Sequence, residues 1–198
     1  NIGIIDQRDQ SEGTATKHTL FINTDNTVKT FVDGANQITT PAVVKPNTWH
    51  HIAYSRSGTT GRIFVDGILQ ASGTDSKNYS ANARVAIGHH PTVSSRDFPG
   101  SISNLRIVKG TALYTSRFTP PTRALTNVTN TKLLCCQSPT SNTQATVIPD
   151  LANFPAPYSA AARFGSYKEY TTVNKNATSG TTLPMSNPTH YGGKALDL

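Results

Sequence analysis

The acidic residues are the first side chains to weigh for chemistry, because paired carboxylates carry out glycoside hydrolysis. That reaction needs an acid and a nucleophile about 5 to 5.5 Å apart, or about 6.5 to 9.5 Å apart when configuration is inverted. The chain has only two glutamates, Glu12 and Glu169, which are far apart in sequence and lie in no alternating acidic strand. We therefore predict a non-enzymatic protein, with two aspartates from distant loops as the less favoured hydrolytic alternative.

Two pairs of adjacent histidines, His50-His51 and His89-His90, are the next residues that could bind a metal. Neighbouring side chains of an extended strand point to opposite faces, so neither pair can chelate one ion in that conformation. The sequence also lacks a Gly-x-Ser-x-Gly elbow and a glycine-rich phosphate loop. The residues by themselves thus predict no metal and no cofactor.

The two cysteines, Cys135 and Cys136, are adjacent in an apolar run that starts at Leu133. A disulfide between neighbours would close a strained eight-membered ring, because disulfides prefer Cα atoms about 4.4 to 6.8 Å apart and adjacent Cα atoms are about 3.8 Å apart. We predict two free thiols in a late strand, with at least one sulfur packed inward.

The net charge of +7 is concentrated in the second half of the chain. Residues 1–100 carry nine Lys/Arg and eight Asp/Glu, whereas residues 101–198 carry nine and three. Residues 101–135 hold no acid and five basic residues: Arg106, Lys109, Arg117, Arg123 and Lys132. If these share a face, they would attract an anionic surface such as a charged polysaccharide or an acidic neighbouring subunit, and scattered solvated charges are the alternative.

Nucleic acid and membrane are not expected partners. The basic stretch lacks the interleaved aromatic residues expected of single-stranded nucleic-acid readers. No apolar run approaches the roughly 20 residues that a bilayer-spanning helix needs.

The elements that must position these residues begin with a predicted β-hairpin. Residues 49–56 and 62–67 are rich in β-branched and aromatic types and flank a Ser/Gly/Thr insert. Asp66-Gly67 ends the second run with a dipeptide that accepts positive φ, so both are interpreted as structural turn residues. Trp49, the only tryptophan, starts the hairpin; we predict that it packs in the core, with a sugar-stacking platform as the alternative.

Short strands with polar turns continue along the chain, and no sustained 3.6-residue period indicates a major helix. This spacing predicts an all-β fold, an antiparallel β-sandwich of jelly-roll type. The predicted strands are residues 2–6, 19–23, 27–32, 37–39, 50–55, 62–65 and 84–87.

The hairpin at residues 49–67 resembles the paired strands of laminin-G-like domains in the concanavalin A-like lectin/glucanase superfamily. A second motif, FPGSISNLRIVKGTALY at residues 98–114 followed by FTPP at 118–121, is similar to the closing strand and turn of a subset of these domains. That subset is found often in bacteriophage and marine-virus structural proteins. The resemblance covers roughly residues 1–137 and implies a concanavalin A-like sandwich in which His51 is a packing and hydrogen-bonding residue. The paired-glutamate strand of the superfamily's glucanases is absent.

Some laminin-G domains bind calcium at the sandwich rim through Asp side chains and backbone carbonyls. The resemblance therefore makes calcium the cofactor to consider, with Asp66, Asp75 and Asp97 as candidate ligands, although they do not cluster in sequence. The candidate glycan-binding residues are polar and aromatic loop residues: Asn78, Tyr79, His90 and Arg96.

The texture of the sequence changes after Gln137. Residues 138–198 carry too few apolar side chains to offset their ordering entropy, so we predict a linker and an extended C-terminal arm that needs a partner surface. Residues 191–198 resemble the opening strand of a further laminin-G-like domain, and residue 1 falls where initial strands should already have formed. We expect a window of a longer protein, with a swapped C-terminal strand as the alternative.

The resemblance implies a non-enzymatic module at a virion surface or in an extracellular setting, which adheres to host-surface glycans, either anionic or neutral. The alternative is a structural virion protein, such as a decoration, fibre or tail component, that binds other virion proteins or copies of itself through residues 138–198. A glycoside hydrolase is the third and disfavoured reading. Fold analogy cannot decide among them.

Overall fold

A computed structural model describes residues 2–7, 18–32, 35–79, 85–89, 96–138 and 145–147 of the chain. Over these residues the regular structure consists of eleven β-strands, and every strand pair is antiparallel. The predicted all-β antiparallel sandwich is confirmed. Residues 148–198, which include most of the predicted arm, lie outside the part described.

The strands are short and follow one another closely along the chain. They are β1 (Ile2–Asp6), β2 (His18–Ile22), β3 (Thr27–Val32), β4 (Ala35–Ala42), β5 (Ile52–Ser57), β6 (Thr60–Val65), β7 (Ile68–Thr74), β8 (Ala86–Ile87), β9 (Leu105–Val108), β10 (Thr131–Cys135) and β11 (Ala145–Val147).

The first layer of the sandwich is a five-stranded sheet in the order β4-β3-β2-β1-β8. Its inner face follows the two-residue period of a half-buried strand, which β3 shows most clearly because Val28, Thr30 and Val32 are buried and the residues between them are partly exposed. Leu20 of β2 pairs with Ile5 of β1, which in turn pairs with Ile87 of β8. One continuous apolar face therefore crosses the sheet.

The second layer consists of two three-stranded sheets, β5-β6-β7 and β9-β10-β11. Both pack on the inner face of the first layer. Ile63 and Val65 of β6 pack with a cluster from β2, β3 and β4, whereas residues of β9 and β10 pack with Ile87. Ile5 contacts both clusters, so the core is continuous and consists of two adjoining halves.

Residues 110–130, called here the cover segment, cross the outer face of the second layer. Phe64 of β6 is fully buried there, under the stacked rings of Tyr114 and Phe118, whose centroids are 3.6 Å apart. Farther along, the Leu125 amide donates to Asn104 Oδ1 at 3.0 Å, beside β9. The cover segment thus ties the two small sheets together.

Gly67 joins the two motifs on which the family resemblance rests. Its φ is +76°, and a Cβ at this position would lie 1.9 Å from the carbonyl oxygen of Phe118, so only glycine fits. The Phe118 amide also donates to the Gly67 carbonyl at 3.0 Å. Asp66, with a φ of 53°, completes a two-residue turn of the type that favours hairpins.

Most strand predictions are confirmed with small shifts of their ends, and residue 84 of the last one lies outside the part described. Two strands, β7 and β11, were not predicted from the sequence. β7 is a mixed run with exposed apolar residues and a glycine, so it has no clean alternation. β11 lies beyond the predicted domain boundary at residue 137 and pairs with β10. β10 places Cys135 in the core, and Cys135 and Cys136 are both free thiols.

Candidate functional site

Trp49 is exposed, with 69% of its surface accessible, so the prediction that it packs in the core is wrong. The physical reason is the start of β5 at Ile52, three residues later, which leaves Trp49 outside the alternation of the strand. Residues 45–51, called here the rim loop, turn at Asn47 with a φ of 57° and carry the indole outward.

Asp66 fixes the rim loop at its C-terminal end. Its carboxylate accepts hydrogen bonds from the His51 amide at 2.9 Å and from His50 Nδ1 at 2.8 Å. The other nitrogen of that ring, His50 Nε2, accepts from the Lys45 amide at 3.0 Å. Because Nε2 accepts a hydrogen bond and so carries no hydrogen, Nδ1 carries the hydrogen that is donated to Asp66. The ring therefore links both ends of the loop to the β6–β7 turn.

The charge state of Asp66 follows from these contacts. Partial burial acts to raise the pKa of its carboxyl, but the hydrogen bonds from His50 and His51 outweigh burial and hold the pKa below its ordinary value. The Asp66 carboxylate is therefore anionic at neutral pH, and its hydrogen bonds hold the backbone beside Trp49 in place.

His51 packs as the resemblance implied, although its hydrogen bond is made by the backbone. Its ring meets Phe118 edge-on at 5.4 Å and Tyr114 at 6.3 Å, and Nδ1 is buried without a hydrogen-bond partner. Burial lowers the pKa of the imidazole, opposed by the charge of Asp66. His51 thus joins the rim loop to the cover segment as a neutral aromatic ring.

A second carboxylate, Asp75, is buried at the other end of β7 and organises a half-buried group called here the Asp75 cluster. It contains His18, Tyr54, Arg56, Asp75 and Tyr79. The hydroxyls of Tyr54 and Tyr79 both donate to Asp75 Oδ2, and Arg56 reaches Asp75 Oδ1 at 3.4 Å. The Arg56 guanidinium also stands 4.8 Å above the ring of Tyr79.

His18 closes the Asp75 cluster from the first layer. Its ring lies 4.7 Å from the ring of Tyr54 and 4.9 Å from that of Tyr79, and its Nε2 is buried with no hydrogen-bond partner. Burial lowers the pKa of His18 to about 4, against the opposing charge of Asp75. His18 is therefore neutral at pH 7 and packs as an aromatic ring.

The ionisation of the other members is set by the same burial. Burial raises the pKa of Tyr54 and of Tyr79, and their hydrogen bonds to Asp75 raise it further. Burial acts to raise the pKa of Asp75, but the two hydroxyl donors and Arg56 hold it below its ordinary value. The Asp75 carboxylate therefore has donors on both oxygens, whereas His18 contributes ring packing alone.

The candidate glycan-binding residues fall into different surroundings. Asn78 is exposed, but Tyr79 beside it has its hydroxyl on Asp75. Arg96 is partly buried and adjoins Asp97, whose carboxylate contacts His89 Nδ1 at 2.7 Å. His90 lies outside the residues described. Tyr54 and Arg56 were not predicted as partners of Asp75, although their two-residue spacing on β5 places them on one face.

The three candidate calcium ligands are also engaged separately. Asp66 binds His50, Asp75 binds the two tyrosines, and Asp97 binds His89. Over the described ranges, no group of three or more His, Cys, Asp or Glu side chains could hold a metal ion. The structure therefore does not bring these aspartates together.

The layers and the rim define a class of protein: a two-layer antiparallel β-sandwich with an exposed aromatic residue on a loop at its edge. A family model of laminin-G type, described as the concanavalin A-like lectin/glucanases superfamily, matches residues 2–113, more than half of the chain. The chain belongs to this superfamily. Comparison with curated proteins and with solved structures found no match.

The matched range contains the hairpin, the rim loop and the Asp75 cluster. Among the residues that the structure describes, no helix is long and apolar enough to cross a bilayer.

Proposed function

We propose that this chain is a non-enzymatic carbohydrate-binding module that adheres to glycans through the rim loop, with Trp49 as the platform for a sugar ring. The observation that carries the proposal is that Trp49 is 69% exposed and lies on a loop held by hydrogen bonds at both ends. Because the loop is already ordered, binding loses little conformational entropy. An exposed aromatic ring of this kind supplies large contact area to the apolar face of a ligand.

Polar groups beside the indole suit the hydroxyls of a sugar. Asn47 and Thr48 are exposed on the same loop, directly before Trp49. An amide and a hydroxyl can each donate and accept, as a sugar hydroxyl does. The combination of one apolar plate with a few polar groups is the usual composition of a small-ligand site.

We propose a non-enzymatic role because three candidate loop aspartates do not form a catalytic pair. Asp66, Asp75 and Asp97 are each hydrogen-bonded to protein side chains in separate places. The two glutamates, Glu12 and Glu169, lie outside the described residues, and the remaining argument against a hydrolytic pair is that neither belongs to an alternating acidic strand.

The proposed setting is the surface of a virion or another extracellular location, where the module attaches to host glycans. The similarity of residues 98–121 to viral structural domains supports this setting. Assembly with other virion proteins or copies of the chain through residues 138–198 is the competing proposal. Deleting residues 148–198 distinguishes them, since adhesion through the rim loop should survive the deletion and assembly should not.

The direct test of the proposal is a glycan-array screen of the chain and of Trp49→Ala, followed by calorimetric titration with the glycans bound. We expect Trp49→Ala to weaken binding at least tenfold, and Trp49→Phe to retain part of the affinity. Leu69→Ala is the matched control, because Leu69 is an exposed apolar residue on β7 outside the rim loop. Unchanged binding by Trp49→Ala, or no glycan bound by the wild type, would reject the proposal.

A further inference from the structure

The five basic residues of the acid-free stretch lie on the second layer and on the cover segment that crosses it. In β9, Leu105 and Ile107 face the core, so Arg106 between them points to the outer face. Lys132 is exposed on β10 beside the core residue Leu133, and Lys109 is exposed just after β9. Three cations thus lie along the exposed side or end of one small sheet.

The cover segment adds two more cations over the same layer. Arg117 and Arg123 are both exposed on it. The segment is fixed above β9, because Arg106 donates to the Thr126 carbonyl at 2.9 Å and Leu125 is bonded to Asn104. We call these five residues the basic face: Arg106, Lys109, Arg117, Arg123 and Lys132.

Acids in the structure do not neutralise the basic face. Residues 101–138 contain no Asp or Glu. Acid–base pairs elsewhere in the described residues include Lys29 with Asp25, Arg56 with Asp75, His50 with Asp66 and His89 with Asp97. In the described part of the chain, no ion pair joins a cation of the basic face to an acid. Asp66, whose charge acts on the same His51 ring as Arg106, is hydrogen-bonded to His50, so among the residues described the cations of the basic face have no direct acidic partner.

We propose that the basic face binds an anionic polysaccharide, one that carries sulfate or carboxylate groups, as an extension of the Trp49 site. This inference rests on the proposed glycan-binding function. The rim loop and the cover segment adjoin. The ring of Phe118 packs against His51 of the rim loop, and the Phe118 amide is hydrogen-bonded to Gly67 in the β6–β7 turn. A polymer whose sugar ring stacks on Trp49 can therefore continue across the cations.

The composition of the face favours a polysaccharide over other polyanions. Single-stranded nucleic acid stacks successive bases on several free aromatic rings along the basic surface, but Tyr114 and Phe118 are stacked on each other and cover Phe64, so of the described aromatic residues only the rim residue Trp49 is free to stack in this region. A stable protein interface has an apolar centre. On the cover segment, the exposed large apolar residue is Leu113, at 39%. Separate cations around a polar surface match regularly spaced anionic groups.

Dextran and dextran sulfate, which share one polymer backbone, form the pair of probes for this inference. We expect the full chain to bind dextran sulfate at least tenfold more tightly than dextran at about 0.15 M salt, with affinity falling as salt rises. The test variant is Arg117→Gln/Arg123→Gln. The control is Lys29→Gln/Lys77→Gln, which also removes two positive charges, but from positions outside the basic face.

The basic face is supported if the test variant loses at least fivefold in affinity for dextran sulfate and the control variant loses less than twofold. Equal losses in both variants would indicate attraction by net charge alone and overturn the inference. Tighter binding of polyglutamate or of a single-stranded oligonucleotide at equal charge would also overturn it. If the glycan array shows Trp49-dependent binding of neutral sugars without preference for sulfated ones, the inference fails and the proposed function stands.

Discussion

The two aspartates that flank β7 make similar contacts with opposite consequences. Asp66 precedes the strand, and Asp75 follows it; each accepts at least two hydrogen bonds from residues in or beside β5. The side chain of Asp66 is 49% exposed, whereas Asp75 is 2% exposed. The exposed Asp66 positions the rim loop and leaves Trp49 in solvent. The buried Asp75 is part of the core.

The difference in exposure sets how much each aspartate contributes to the free energy of unfolding. A charge in water keeps most of its hydration, so hydrogen bonds to Asp66 contribute little net stability. A buried carboxylate has lost that hydration, and removing it leaves buried donors unsatisfied. The Asp75 end should therefore govern stability, and the Asp66 end should govern recognition.

The largest effect is expected at the buried end. Asp75→Ala leaves the hydroxyls of Tyr54 and Tyr79 without their acceptor and removes the carboxylate that pairs with Arg56, so it should destabilise the fold by about 3 to 5 kcal/mol. Urea unfolding followed by circular dichroism measures the change. Asp25→Ala is the control, since Asp25 is exposed in a turn. A loss below about 1 kcal/mol for Asp75→Ala would show that the two ends do not differ.

His18 should make the same end sensitive to acid. Its pKa is about 4 in the folded protein, below the ordinary value of 6.5, so the unfolded chain binds the extra proton first. Stability is therefore full above pH 6.5 and falls as the pH drops from 6.5 toward 4, by about 3 kcal/mol from this residue. Asp75 and Asp6 oppose the shift in pKa, and Arg56 reinforces it.

Urea unfolding at pH 7, 5.5 and 4 tests this expectation, with His18→Gln compared at each pH. The wild type should lose more stability than His18→Gln between pH 7 and pH 4. Parallel pH profiles for the two proteins would mean that His18 does not titrate in a buried, neutral state.

A smaller effect on stability is expected at the rim. Asp66→Ala removes the acceptor of His50 and His51 from an exposed site, and should cost roughly 1 kcal/mol. The larger change should be in the loop. Because Trp49 is the only tryptophan, its fluorescence anisotropy reports loop mobility and should fall in this variant. A destabilisation of several kcal/mol with unchanged anisotropy would place Asp66 in a buried network instead.

The smallest effect on stability is expected for Trp49→Ala. An indole that is mostly in solvent has little packing to lose, so the free energy of unfolding should change by less than about 0.5 kcal/mol. Urea unfolding checks this beside Phe64→Ala, which removes a buried ring and should cost about 3 to 5 kcal/mol. Comparable losses of unfolding free energy in the two variants would show that Trp49 is buried in the core.

The sequence predicted those parts of the fold that depend on neighbouring residues. Alternation in β3, the β5–β6 hairpin and the Asp66-Gly67 turn follow from side-chain period and from the residues that tolerate positive φ. The prediction for Trp49 was wrong because its exposure depends on the residue at which β5 begins, and the apolar run in the sequence does not mark that residue.

The sequence by itself determined an all-β antiparallel sandwich, the glycine at position 67 and a stretch of cations without acids. Only the tertiary structure decided that His18 meets Tyr79, and that the cover segment places Arg117 and Arg123 over the same layer as Arg106. The physical reason is range. Strand period and turn chemistry act over a few residues, whereas burial and charge clustering depend on which distant strands pack against each other.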